Sequence, residues 1–170
     1  MKYINKSLFI EKARVNDIAK KFGTPVYCYS YKQLKKNINY FKKSFSSFAP
    51  LICFAVKSNT NIKLISEIKK LGLGADVVSM GELMVALKAG INPNKIVFSG
   101  VGKTTSEINF AIDKGILLIN AESKSEILEI EKIAQSKKKI INIGIRLNPN
   151  TDAKTLKQIS TGKKENKFGV

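Results

Sequence analysis

A lysine ends an apolar run at a point where a strand would give way to a loop. The stretch LICFAVKSN, residues 51–59, has five apolar residues and an alanine before Lys57 and polar residues directly after it. A strand on the protein surface would alternate apolar and polar residues, and this one does not. We therefore expect the amine to lie beside a dry interior, where partial desolvation favours the neutral form that makes Schiff bases with carbonyl compounds. The alternative is a lysine that extends into solvent.

Two further charged residues fall at comparable places. Asp76 lies within a second apolar run, GADVVS, and Arg146 lies within a fifth, IINIGIRLN. Each alone is compatible with a loop cap or with one partner of a salt bridge. If the runs are parallel strands of one sheet, their carboxyl ends meet at one edge, and the two residues could form a polar ring around Lys57.

The apolar runs recur with a steady period. They start 21 to 23 residues apart, at Leu51, Gly74, Lys95, Leu117 and Ile140, with helical patterns between them. Strand and helix alternating at this period predict βα units and a parallel sheet covered by helices. Because no crossover is long enough to signal a reversal of strand order, the pattern favours a (β/α) barrel over a doubly wound sheet.

The number of strands predicts about half of a barrel. A complete (β/α)8 TIM barrel needs eight strands and about 250 residues, whereas this chain of 170 residues has five runs. Helices are predicted over 11–22 and 30–45, which gives an N-terminal helix and extended segment (1–29) and a partial barrel (30–170). Long apolar edge strands over 51–56 and 140–147 would each lack a partner strand. We therefore expect the 170 residues alone to fold poorly and to be inactive.

Composition excludes several classes of protein. With 44% hydrophobic residues the chain can bury a core, and it has no membrane-length apolar run and no signal-peptide pattern. The net charge of +17 raises the question of a nucleic-acid partner, but only Arg14 and Arg146 are arginines, and the lysines are spread over every predicted helix rather than gathered on one stripe. We therefore expect solvated lysine faces, no nucleic-acid partner and a cytoplasmic protein. No metal site is expected, because the chain has no histidine and its cysteines, Cys28 and Cys53, lack metal spacing.

One motif resembles a phosphate-binding loop. SGVGKTT, residues 99–105, lies between a strand and a helix, with Gly102, Lys103 and Thr104 in register with G-x-x-x-x-G-K-[ST]. The first glycine of that pattern falls on Val97, inside a strand. An ordinary loop with a polar helix start is the better interpretation.

The run FAVKSNTNIKLISEIKKLG, from Phe54 to Gly72, resembles the cofactor-lysine signature of the pyridoxal-phosphate decarboxylases of the alanine-racemase-like barrel class. GADVVSMGEL and FSGVGKT are similar to the next two strand ends of that family. RLNPNTDAKTLKQISTGKKENKFG, from Arg146 to Gly169, and FGTPVYCYS are similar to the subgroup that acts on diaminopimelate. The resemblance extends over nearly the whole chain.

The resemblance implies a cofactor and a reaction. Lys57 would hold pyridoxal 5'-phosphate, with Asp76 near the linkage and Arg146 beside the cofactor. The reaction would be decarboxylation of meso-2,6-diaminopimelate to L-lysine and carbon dioxide, the last step of lysine biosynthesis. It also implies a homodimer, with Lys167 close to the subunit interface. The family's cofactor-stacking histidine, its phosphate loop and its C-terminal β-domain would follow Val170.

Two departures from the family pattern leave alternatives open. Met80 stands where glycine is usual, and Leu156 replaces a usual histidine in the loop Asp152–Gly162. That loop argues against a sister decarboxylase acting on ornithine, arginine or a polyamine precursor, but the leucine weakens the argument. A non-catalytic barrel protein that binds the same cofactor is the other alternative.

Overall fold

The residues that the structure describes fall into two units. A computed structural model describes residues 1–151, 154 and 169–170, and the chain divides into Met1–Pro50 and Leu51–Val170. Among these residues no helix is both long and apolar enough to cross a membrane.

The first unit contains a small antiparallel sheet that the sequence pattern did not predict. The strands of this sheet are β1 (Lys2–Ile4), β2 (Ser7–Ile10) and β3 (Ala13–Arg14), in the order β1-β2-β3. The unit also contains the helices α1 (Val15–Phe22) and α2 (Tyr31–Ser44). The predicted helix start at Glu11 is wrong, because Glu11 has a φ of 55° in the turn between β2 and β3. Its carboxylate accepts hydrogen bonds from the Ser30 hydroxyl and the Lys32 N–H at the start of α2.

The second unit is a parallel sheet with helices between its strands. The strands are β4 (Cys53–Ala55), β5 (Gly74–Val77), β6 (Ile96–Phe98), β7 (Leu118–Ala121) and β8 (Ile143–Ile145). The helices are α3 (Ile62–Lys70), α4 (Met80–Lys88), α5 (Thr105–Lys114) and α6 (Lys124–Ser136). The sheet order is β4-β5-β6-β7-β8, so each strand pairs with its neighbours in sequence. This sequential parallel order confirms the predicted partial (β/α) barrel.

The two outer strands are shorter than the sequence predicts. The apolar runs over 51–56 and 140–147 contribute only three paired residues each, in β4 and β8. At the end of β4 the chain enters a 3₁₀ turn, Val56–Ser58, in which the Asn59 N–H donates to the Val56 carbonyl. The expectation of long edge strands was therefore wrong.

The two faces of this sheet have different compositions. One face is buried under the helices and carries Ala75, Val77, Ile96, Phe98, Ile119 and Ala121. These side chains pack with helix residues such as Ile65, Leu83 and Ile108 in one core. The residues between them in sequence, among them Asp76 and Asn120, are only half-buried on the other face. Burial of each large apolar side chain stabilises the fold by about 1.5–3 kcal/mol, so the covered face holds the unit together.

Three of the helices begin with the same polar pattern. Ser79, Thr104 and Ser123 each accept a hydrogen bond from a backbone N–H three residues later, where the residue is a glutamate. The middle glutamate, Glu107, also accepts from the N–H groups of Thr104 and Met80, which lower the pKa of its carboxyl group. The carboxylate therefore stays ionised at neutral pH and joins the start of α5 to the start of α4.

A substitution at Gly74 tests how closely the strands pack. A Cβ atom there would overlap the Lys95 carbonyl oxygen and lie 2.9 Å from Cys53 Sγ. We expect Gly74→Ala to lower the free energy of unfolding of the full-length protein by about 1–3 kcal/mol, measured by urea denaturation.

Gly81 in α4 provides the matched control for this change. The nearest atom to a Cβ there is Ser79 Oγ at 3.8 Å, so Gly81→Ala should stabilise the protein by about 0.5–1 kcal/mol. Equal unfolding midpoints for the two variants would contradict the described packing.

Candidate active site

A cavity opens at the carboxyl edge of strands β4 to β8. Its volume is 670 Å³, and it is lined by Lys57, Asp76, Val78, Ser99, Gly100, Val101, Asn120, Glu122 and Arg146. Most of these residues lie two apart along a strand or just beyond its end, as Asp76 with Val78 and Asn120 with Glu122 do. Because side chains alternate along a strand, such pairs share one face, and here it is the face not covered by helices.

Lys57 lies in the 3₁₀ turn that follows β4. The preceding Val56 is fully buried, and the Ser58 hydroxyl donates to the Ala55 carbonyl at 2.7 Å, which fixes the turn. Lys57 itself is exposed, and its amine has no hydrogen bond or ion pair with any described residue. The partial desolvation expected from the sequence is therefore not seen in the part of the chain that the structure describes. The amine is available for reaction.

Asp76 is held by a short relay of polar groups. The Ser99 hydroxyl donates to Asp76 Oδ1 at 2.7 Å, and Asn120 Nδ2 donates to Ser99 Oγ at 3.0 Å. The asparagine side chain has room because the facing residue is Gly144, where a Cβ atom would overlap Asn120 Oδ1.

Burial, and after it the Asp76 carboxylate, raises the pKa of the Cys53 thiol. Cys53 therefore remains a neutral thiol near neutral pH.

Arg146 is paired with a buried carboxylate that the sequence interpretation missed. Its Nη1 lies 3.1 Å and 3.4 Å from the two carboxylate oxygens of Glu122. Glu122 is only 5% exposed and also accepts hydrogen bonds from the N–H groups of Gly100 and Gly169. The signal that could have revealed it is its place two residues after Asn120, on the same face of β7.

Lys103, the lysine of the phosphate-loop-like motif, has a structural contact set. Its Nζ donates to the carbonyls of Gly100 and Asn120 at 2.6 Å and 2.7 Å and to Glu126 Oε1 at 2.6 Å. The side chain is 1% exposed. Because an ammonium group has three donors, none is left for a phosphate, and Lys103 instead ties the ends of β6 and β7 together.

The cavity thus brings together Lys57, Asp76 and Arg146, the three residues predicted from the sequence, and adds Ser99, Asn120 and Glu122. Lys167, Leu156 and most of the loop Asp152–Gly162 lie outside the described residues.

This set of groups suits pyridoxal phosphate. An exposed amine can bond to an aldehyde carbon, and a guanidinium at the cavity wall can bind an anionic oxygen. The hydroxyl, amide and carboxylate groups provide hydrogen-bond donors and acceptors for the polar substituents on the pyridine ring of the cofactor.

Comparison with known proteins gives a consistent match. A family model described as "Pyridoxal-dependent decarboxylase, pyridoxal binding domain" matches residues 31–170. The chain is 51% identical over 149 residues to diaminopimelate decarboxylase of Helicobacter pylori and 44% identical over 170 residues to that of Aquifex aeolicus. It also superposes with a TM-score of 0.87 on the crystal structure of the Helicobacter pylori enzyme complexed with L-lysine, at 47% identity.

These matches cover unequal shares of the two chains. The first two cover 88% and 100% of this chain but 37% and 40% of the relatives, and the structural match covers 91% of this chain and 39% of the other. The chain therefore spans about 40% of the length of the curated relatives it matches.

Removing the Lys103 amine should destabilise the protein strongly. Lys103→Met would leave the Glu126 carboxylate and two strand-end carbonyls without their shared donor. Breaking a buried ion pair in this way costs about 3–5 kcal/mol, which urea denaturation of the full-length protein can measure.

Lys137 forms an ion pair with Asp113 at 2.7 Å, but Asp113 is half exposed. We expect Lys137→Met to cost only about 0–1 kcal/mol. If the two methionine variants unfold at the same urea concentration, the structural role given to Lys103 is wrong.

Proposed function

Because the chain belongs to the pyridoxal-dependent decarboxylase family, we propose that it is the N-terminal part of a diaminopimelate decarboxylase. The substrate would be meso-2,6-diaminopimelate, from which the C–C bond to one carboxylate breaks, carbon dioxide leaves and a proton takes its place to give L-lysine. The observation that carries the proposal is the cavity in which the Lys57 amine, which has no partner among the described residues, is grouped with Asp76 and Arg146. The match to residues 31–170 supports the sequence-based division, in which 30–170 bind the cofactor.

Lys57 would hold the cofactor covalently through its amine. Its position after a fully buried residue and inside a hydrogen-bonded turn limits the movement of its backbone, while its exposed side chain can reach the cavity. When it is not bonded to the cofactor, the Lys57 amine would be able to accept or donate a proton.

The other polar groups would orient the cofactor. Asp76 keeps one carboxylate orientation because the Ser99 hydroxyl, itself bound by Asn120, donates to it. Arg146 presents a positive charge for an anionic oxygen while Glu122 fixes its position. Val78 and Val101 line the same cavity and give part of its wall an apolar surface. When bound, pyridoxal phosphate supplies an acceptor for the electron pair left by the departing carboxylate.

We propose a homodimer in the cytoplasm as the state of the full-length protein. The family resemblance supports the homodimer, in which Lys167 would lie near the subunit interface, and the compartment is the one expected from the composition of the sequence.

The attachment site can be tested by chemical trapping. Borohydride reduction of the full-length protein loaded with pyridoxal phosphate should leave the pyridoxyl mass on the peptide that contains Lys57, because that amine has no competing partner among the described residues. A Lys57→Arg variant should lose the label. A label on Lys103 or another lysine would contradict the assignment.

The substrate can be tested by comparing amino acids. We expect carbon dioxide release from meso-diaminopimelate to exceed that from L-ornithine or L-arginine by about 10²-fold or more in kcat/KM, because a site built to bind the second carboxylate of the substrate rejects analogues that lack it. Equal or reversed rates would indicate a sister decarboxylase, and Leu156→His would then be the first variant to examine. Cofactor binding without turnover would favour the non-catalytic alternative.

A further inference from the structure

Glu122 joins three separate parts of the cavity wall. Oε1 accepts from the Gly100 N–H at 3.0 Å and from Arg146 Nη1 at 3.1 Å, and Oε2 accepts from the Gly169 N–H at 3.1 Å. These donors belong to the loop after β6, to the residue after β8, and to a segment beyond it in sequence. One buried carboxylate therefore contacts all three.

The contacts leave the carboxylate little freedom to move. Each oxygen binds one backbone N–H, and both oxygens lie within 3.4 Å of the same guanidinium nitrogen. Hydrogen bonds that involve a charged group are roughly twice as strong as neutral ones, and the side chain of Glu122 is 3% exposed. Water therefore competes poorly for these oxygens.

The position of Arg146 depends on this carboxylate. Its backbone is fixed, because its N–H donates to the Ala121 carbonyl and its own carbonyl accepts from the Val170 N–H. Its side chain is 36% exposed and long enough to adopt several rotamers, so that the backbone contacts alone do not place the guanidinium. The bond to Glu122 is a contact that holds it against the cavity.

We propose that Glu122 is a positioning residue for cofactor binding and acts through Arg146. This inference rests on the proposed function, since it takes pyridoxal phosphate as the ligand of the cavity. In this role Glu122 holds the guanidinium where it meets an anionic oxygen of the cofactor. Its loss weakens binding because Arg146 then loses this contact, and more of its ordering has to occur when the cofactor binds.

The test is a double-mutant cycle in the full-length protein, read by the dissociation constant of pyridoxal phosphate from an absorbance titration. Glu122→Gln keeps the shape but removes the charge and turns one acceptor into a donor that faces other donors. We expect it to raise the dissociation constant about tenfold. In an Arg146→Met background the same change should alter the constant by less than about twofold, because the residue through which it acts is gone.

Glu129 provides the matched control. It lies on α6 and accepts a hydrogen bond from the Thr105 hydroxyl at 2.9 Å, and it does not line the cavity. Glu129→Gln should leave the dissociation constant within about twofold of the parent value. A tenfold effect of this control would overturn the inference, because any lost acidic hydrogen bond would then weaken binding.

Two other results overturn the inference. The first is an unchanged dissociation constant in Glu122→Gln, and the second is the same loss of affinity with and without Arg146. If Glu122→Gln does not fold, as judged by circular dichroism, Glu122→Asp replaces it in the cycle, since it keeps the charge and withdraws the oxygens by one methylene. If the parent protein does not bind pyridoxal phosphate, both the proposed function and this inference fail. If the parent binds it, but the losses of affinity caused by Glu122→Gln and Arg146→Met simply add, only this inference fails.

Discussion

The alternation of side chains along parallel strands β4 to β8 is the constraint on which the rest of the second unit depends. One face must be apolar because the helices cover it, and Ile96, Phe98 and Ile119 meet that requirement. The opposite face has no such requirement at the carboxyl ends of the strands, so Asp76 and Asn120 can stand between buried neighbours. A single backbone geometry therefore supplies both a stabilising core and a polar cavity.

Acidic side chains at the helix starts hold the loops around the cavity by accepting hydrogen bonds from their backbone N–H groups. The chain has 30 basic and 13 acidic residues, so carboxylate groups are outnumbered by cationic side chains. Glu82, Glu107 and Glu126 satisfy backbone N–H groups at three helix starts, and Glu126 also binds the buried Lys103 amine. Such contacts hold strand ends at set distances, which a cofactor site requires because a displacement of about 1 Å can cost much of the rate.

The period of the apolar runs was sufficient to predict the five parallel strands and their order, because each strand has to fill its covered face. It also placed Lys57, Asp76 and Arg146 at one edge. The strands β1 to β3 could not be predicted, since two to four residues show no period. The role of Glu122 and the burial of Lys103 could not be predicted for another reason. Their burial depends on partners more than 20 residues away in sequence, which no local pattern reports.

The sequential strand order also affects how the chain can fold. Each strand from β5 to β8 pairs with residues 21 to 24 positions earlier, so every step closes a loop of similar, modest length. Helices form in about a microsecond, whereas a ribosome adds about 5–20 residues per second, so a complete helix and strand can be present before the next unit is synthesised. Assembly can therefore follow the order of synthesis, with each new strand docking on an edge that has already formed.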